Sequence, residues 1–258
     1  MLITEVMGKY NRTVQITPAQ FKEYIPKIQV ALQKAEQGVH IYRGSPHPAL
    51  ILYTDPTQVE RLSRNTSNEM TLILSHVLPS WTSWPKRSRS LICSENPDIA
   101  SAYSNGGASI VLPLGNPLIG IVPSVDFWDS FDIQPPDFNY YFQQIVHDVN
   151  VVFNLKLPPG ITTIEEMNMV LDTFDELVKK YPEKMESGIS RRSGKQKILA
   201  DMLYSGDCRK ALDKFLNPTV NKFQCVPLSE YKTFNSNEVW LSAPSILIKR
   251  REFDRLMN

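Results

Sequence analysis

Strand-forming text stands at both ends of this chain with a long helical stretch between, and that order constrains the fold more than any other feature. Near the start, Thr17-Pro18 supplies an N-cap and a first-turn proline, and Phe21, Ile25, Ile28, Leu32 and Ala35 recur at helical spacing until Gly38 stops the helix. Pro26 has no amide proton to give a helix interior, so the helix is expected to kink or divide there. Strands are expected over 39–42, delivering Arg43 and Gly44 at the C-terminal end, and over 49–53. A helix over 68–78, capped from Asn65-Thr66-Ser67, ends at Pro79, and an irregular aromatic loop over 81–85 leads into a strand over 89–93. Ser94 or Asn96 caps the next helix, which Pro97-Asp98 opens, and the turn Asn105-Gly106-Gly107 precedes strands over 109–112 and 118–122.

The middle of the chain reads as helix over 138–153 and over 163–181, where Thr163-Ile164-Glu165-Glu166 forms a capping box in register. After a loop, shorter helices are expected over 195–204 and 208–215. Strand text then returns over 222–226, 238–242 and 245–249. The pattern predicts an α+β protein, a single domain over 1–258 with a helical insertion at about 138–216.

With 258 residues and 42% hydrophobic content the chain can bury a substantial core. Its formal charge of +1 provides no global field to attract nucleic acid, so a nucleic-acid partner is not expected. The basic runs Lys86-Arg87-Ser88-Arg89, Arg191-Arg192-Ser193-Gly194-Lys195 and Lys249-Arg250-Arg251 read first as solvated surface. Cys93, Cys208 and Cys225 are too scattered for a disulfide framework, which fits a reducing compartment. Met1-Leu2-Ile3-Thr4-Glu5-Val6 carries no signal-like pattern, and no apolar run approaches the roughly 18 residues a membrane span needs, so an unexported protein with no membrane partner is expected.

Several signatures fall away on inspection. The segment over 188–195 resembles a phosphate loop, yet five residues separate Gly188 from Gly194, and Gln196 follows Lys195 where a magnesium-binding hydroxyl is needed; a polar loop is expected instead. His40, His47, His76 and His147 form no local metal-ligand cluster, and no metal site is expected. Asp126 and Asp129, which flank Phe127-Trp128, read as caps or turn formers.

Three separated pieces remain: Tyr42-Arg43-Gly44, the stretch from Ser88-Arg89-Ser90 to Ile92-Cys93-Ser94, and Asn237-Glu238-Val239-Trp240-Leu241. In order and spacing they resemble the ADP-ribosyltransferase family of the arginine, serine, glutamate type. In that family an arginine ending an early strand contacts a phosphate or ribose of NAD, a Ser-Thr-Ser strand shapes the nicotinamide pocket, and a late glutamate holds a ribose hydroxyl. Arg43 matches the first element and Glu238 the last. Ile92-Cys93-Ser94 keeps the final serine of the triplet, and an alternative register uses Ser88 or Ser90. Ser236 stands where arginine-modifying members carry glutamate. The text around Trp81 to Ser90 also resembles proteins of large tailed bacteriophages.

The resemblance implies an ADP-ribosyltransferase-like split, bent β core that takes NAD as substrate and modifies a macromolecular acceptor, a host protein in the phage setting. Glu238 would be catalytic, with Arg43, Gly44, Tyr42, Ser90, Ser94 and Tyr103 binding the dinucleotide and Tyr42, Trp84 and Tyr103 available to stack on its rings. Location would be the host cytoplasm or the virion. Each residue also has a plain alternative. Arg43 can pair with a surface carboxylate, Glu238 can face outward from a strand, Ser94 can be a helix cap, and the tryptophans can be core. The alternative function is a non-catalytic phage structural or interaction protein that retains the fold.

Overall fold

The computed structural model describes residues 13–45, 47–58, 68–104, 107–158, 160–234 and 237–257. In chain order the elements are β1 (Val14–Gln15), α1 (Pro18–Tyr24), α2 (Gln29–Glu36), β2 (Tyr42–Gly44), β3 (Ile51–Thr54), α3 (Asn68–Leu72), β4 (Leu91–Ser94), α4 (Pro97–Ala102), β5 (Ala108–Pro113) and β6 (Leu118–Ile121). They continue as α5 (Pro135–Phe153), α6 (Ile164–Lys180), α7 (Pro182–Ser190), α8 (Gly194–Leu203), α9 (Cys208–Phe215), β7 (Gln224–Pro227), β8 (Glu238–Leu241), β9 (Ser245–Lys249) and α10 (Arg250–Met257). The chain is of mixed α and β type, with an antiparallel sheet.

Two compact units divide the chain: Met1–Arg61, Trp84–Ser130 and Lys222–Asn258 make the first, and Leu62–Ser83 with Phe131–Asn221 the second. The first unit holds a nine-stranded sheet in the order β1-β3-β9-β5-β2-β4-β8-β6-β7. Its central strands are buried: every residue of β8 lies at or below 9% exposure, and Ile246, Leu247 and Ile248 of β9 are buried between β3 and β5. One junction is thin. β2 and β4 share the single pair Tyr42↔Ser94, whereas β5 and β9 share five.

Local differences from the sequence-based expectations have physical causes. The strand expected over 39–42 is formed by Tyr42–Gly44, because the Val39 amide folds back onto the Lys34 carbonyl (2.9 Å) and still belongs to the exit of α2, where Gly38 adopts φ +77°. The strand expected from 89 starts at Leu91, since residues Arg87–Arg89 form a tight turn closed by the Arg89 amide on the Lys86 carbonyl (2.9 Å). Pro26 does divide the first helix, with a short 3₁₀ turn, Ile25–Lys27, between α1 and α2. The loop expected after 181 narrows to residues 191–193: helix α7 takes up 182–190, and the phosphate-loop lookalike is the end of α7, these three polar residues and the start of α8. Strand β1 and helix α10 had no counterpart in the sequence reading. The N-terminal residues 1–12, the Asn65-Thr66-Ser67 cap and Asn105-Gly106 lie outside the described residues.

The second unit is helical. The Thr163 hydroxyl accepts the Glu166 amide (3.2 Å) and the Glu166 carboxylate accepts the Thr163 amide (3.2 Å), so the capping box closes as the sequence indicates. Phe138, Phe142 and Val146 of α5, Met167, Val170 and Phe174 of α6, and Leu199 and Leu203 of α8 are each at or below 1% exposure. Helix α3 widens into a π-type turn over Ile73–Val77, with the Leu78 amide reaching back to the Ile73 carbonyl (3.2 Å), before Pro79 ends it. Among the described residues no helix is long and apolar enough to cross a membrane.

Candidate functional site

Ser94 is the last residue of β4 and Glu238 the first of β8, and the register pairs them directly. Ser94 also pairs with Tyr42 on β2, and Tyr42 with Ile110 on β5, so Tyr42, Ser94 and Glu238 form one row across three adjacent strands. Residues opposite one another in an antiparallel ladder leave the sheet on the same face. The row therefore brings the final serine of the triplet and the late glutamate side by side. Ser90 lies at the other end of the ladder, its hydroxyl 2.6 Å from that of Ser242 and 2.7 Å from the Lys86 carbonyl, so the register with Ser94 is the one that meets Glu238.

Glu238 is 9% exposed and does not face outward from the strand. Its carboxylate forms an ion pair with Arg87, whose side chain is 10% exposed, and also accepts the Phe127 amide (3.3 Å). The Arg87 guanidinium lies over the rings of Phe127 (4.1 Å to the centroid) and Trp128 (5.2 Å). Beneath it, Trp240 is fully buried on the same strand as Glu238, donates its indole N–H to the Pro85 carbonyl (2.7 Å), and stacks on Trp84 at 5.9 Å. Gly120 makes room for that indole, since a Cβ there would sit 2.3 Å from its Cε2.

The loop that delivers Glu238 is held by Glu95. This buried carboxylate accepts the Tyr231 hydroxyl (2.7 Å) and the amides of Phe234 (2.8 Å) and Asn237 (3.0 Å), while the Glu95 amide donates to the Asn237 carbonyl (3.1 Å). Burial, and then the adjacent Glu95 charge, push the Tyr231 hydroxyl pKa far up, so it stays a donor. Ser236 lies outside the described residues.

The remaining expected site residues are placed as follows. The Arg43 Nη1 donates to the Ile92 carbonyl (2.6 Å), tying β2 to β4 beyond their single ladder pair. Gly44 serves close packing: a Cβ would come within 2.3 Å of the Ala100 carbonyl of α4. Tyr42 is 8% exposed and packs beside His40 (5.9 Å) in the core, so its ring is not presented for stacking. Trp84 is likewise engaged with Trp240. Ser94 is not the helix cap; its hydroxyl accepts the Asn96 amide (3.1 Å), and Asn96 caps α4 by accepting the amides of Asp98 (2.8 Å) and Ile99 (3.3 Å).

Tyr103, at the C-terminal end of α4, is the open member of the set at 48% exposure. Partial burial first, then the carboxylates of Asp126, Glu238 and Asp129, raise its pKa against the lowering effect of Arg87. Asp126 is a turn former, its side chain accepting the Trp128 amide (2.8 Å). Among the described residues no three His, Cys, Asp or Glu side chains come together as metal ligands.

Arg87, Phe127 and Glu95 were missed by sequence reasoning. Arg87 sits in a basic run that reads as solvated surface, and Phe127 lies between two turn-forming aspartates. Glu95 had one signal, an acidic residue directly after buried strand text.

Fold and site together define a mixed α and β protein whose antiparallel sheet carries a buried, arginine-paired glutamate at the start of a central strand. Comparisons with family models, with curated proteins and with solved structures give no match for this chain.

Proposed function

We propose that the protein is an NAD-dependent ADP-ribosyltransferase of the arginine, serine, glutamate type, with an ADP-ribosyltransferase-like β core in its first unit and a macromolecular acceptor. The observation that carries this reading is the cross-strand row Tyr42, Ser94 and Glu238, which unites two of the three motif pieces side by side and the third through the neighbour of Arg43. In the reaction the bond between ribose C1′ and the nicotinamide nitrogen breaks, the electron pair leaves with nicotinamide, and an acceptor nucleophile bonds to C1′ and loses its proton. Positive charge builds on the ribose as this happens. A carboxylate beside the ribose hydroxyls stabilises that charge more than it stabilises the bound substrate, and this is the role given to Glu238. Tyr103 is the exposed ring of the set and can cover the nicotinamide. The acceptor class is a host protein modified during phage infection.

A second reading, a non-catalytic structural or interaction protein retaining the core, draws on different contacts. Arg87 neutralises Glu238, and Tyr42 and Trp84 are committed to packing.

The two readings separate when purified protein and its Glu238→Gln variant are incubated with labelled NAD and host-cell lysate. Label transfer and nicotinamide release that vanish in the variant support the transferase. No transfer, no release and no NAD binding by calorimetry would leave the non-catalytic protein.

A further inference from the structure

The geometry points to Arg87 as an autoinhibitory gate on Glu238, an inference that rests on the transferase reading above. The Glu238 carboxylate is occupied from two sides, by the Arg87 guanidinium at Oε1 and by the Phe127 amide at Oε2 (3.3 Å). A guanidinium there offsets the charge that would stabilise an oxocarbenium-like ribose, and it takes the acceptor sites that ribose hydroxyls would use. The resting state thus holds the chemistry at a low basal level.

The backbone around Arg87 is pinned. Trp84 stacks on Trp240, the Pro85 carbonyl accepts the Trp240 indole (2.7 Å), and the Lys86 carbonyl accepts both the Ser90 hydroxyl (2.7 Å) and the Arg89 amide (2.9 Å). Opening is therefore a rotation of one side chain, with no movement of the segment that carries it. Lys86 and Arg89 on either side are already exposed, so a guanidinium that swings away enters water. The rings of Phe127 and Trp128 stabilise the closed position by cation–π contact, which a lysine at the same place would reproduce less well.

The test compares the full-length protein with its Arg87→Met and Arg87→Lys variants, circular dichroism confirming that each is folded. Two readouts are taken: carbodiimide-driven coupling of glycinamide to Glu238, mapped by mass spectrometry, and nicotinamide release from NAD. The gate predicts that coupling at Glu238 rises several-fold in Arg87→Met and by less in Arg87→Lys, and that nicotinamide release rises about tenfold in Arg87→Met and disappears when Glu238→Gln is added. Glu238 remaining unlabelled in the folded variants, or release at or below the wild-type level while wild type is active, overturns the gate and leaves the transferase reading standing. Glu238 freely labelled in the variant, with no release and no calorimetric NAD binding in any form, overturns the transferase reading and the gate with it. Should Arg87→Met fail to fold, the lysine variant decides on the same two readouts.

Discussion

Arg87 and Glu238, 151 residues apart in the chain, meet as an ion pair in which neither side chain is more than 12% exposed. A pair this shielded contributes modestly as a pair, but removing one member leaves a poorly solvated charge behind. Glu238→Gln and Arg87→Met are each expected to lower the unfolding free energy by about 1–3 kcal/mol. The double variant should lose less than the sum, because no lone charge remains. Urea unfolding of the four proteins reads this directly, and strict additivity would show that the two groups are not coupled.

Glu95 is expected to control the segment that precedes Glu238. Tyr231→Phe removes one donor and should cost about 1–2 kcal/mol. Glu95→Gln should cost more, since its amide NH₂ would face donors where an acceptor is needed. Hydrogen exchange provides the local check: the Phe234 and Asn237 amides should exchange faster in Glu95→Gln than in wild type, whereas the β9 amides should change little.

Stability should fall on the alkaline side. Burial pushes the Cys225 thiol up to about 11 and raises the Tyr231 hydroxyl further still, with Glu95 adding to the latter. In the unfolded chain these groups release their protons near ~8.5 and ~10, so between those values and the folded ones the unfolded state binds fewer protons. The stability is fully present below pH ~8.5 and is lost as pH rises through 11 and beyond. Urea titrations at several pH values should show this decline, and Cys225→Ala should flatten its part near pH 9 to 11. A decline of the same slope in Cys225→Ala would remove the thiol from the account.

Gly44→Ala should destabilise by about 1–3 kcal/mol, since the new Cβ meets a backbone carbonyl of α4 that cannot step aside. Thermal unfolding measures it. A neutral result would mean that α4 and β2 are not packed as closely as the 2.3 Å approach requires.

Much of the framework was legible residue by residue. Pro26 had to interrupt a helix because it lacks a donor, and Thr163 with Glu166 had to start one because their side chains satisfy amides that no preceding turn can. Ser94 and Glu238 stand in two separate sequence pieces, and the register puts them opposite each other. Less legible were the end residues of short strands. Val39 alternates like strand text, but its amide is drawn back to close α2, a competition that pattern alone does not weigh.

The sequence by itself determined the mixed α and β class, the helical middle and the strand text at each end, because hydrophobic period, caps and prolines act within a few residues of where they stand. Only the tertiary structure decided that Arg43 reaches the Ile92 carbonyl, that Tyr42 belongs to the core, that Trp84 stacks on Trp240, and that Arg87 covers Glu238. Each of these is set by which strands become neighbours. A basic run on the surface and one that supplies the counter-ion of a buried carboxylate have the same local text, and the difference arises only when β4 and β8 pair and exclude water from between them.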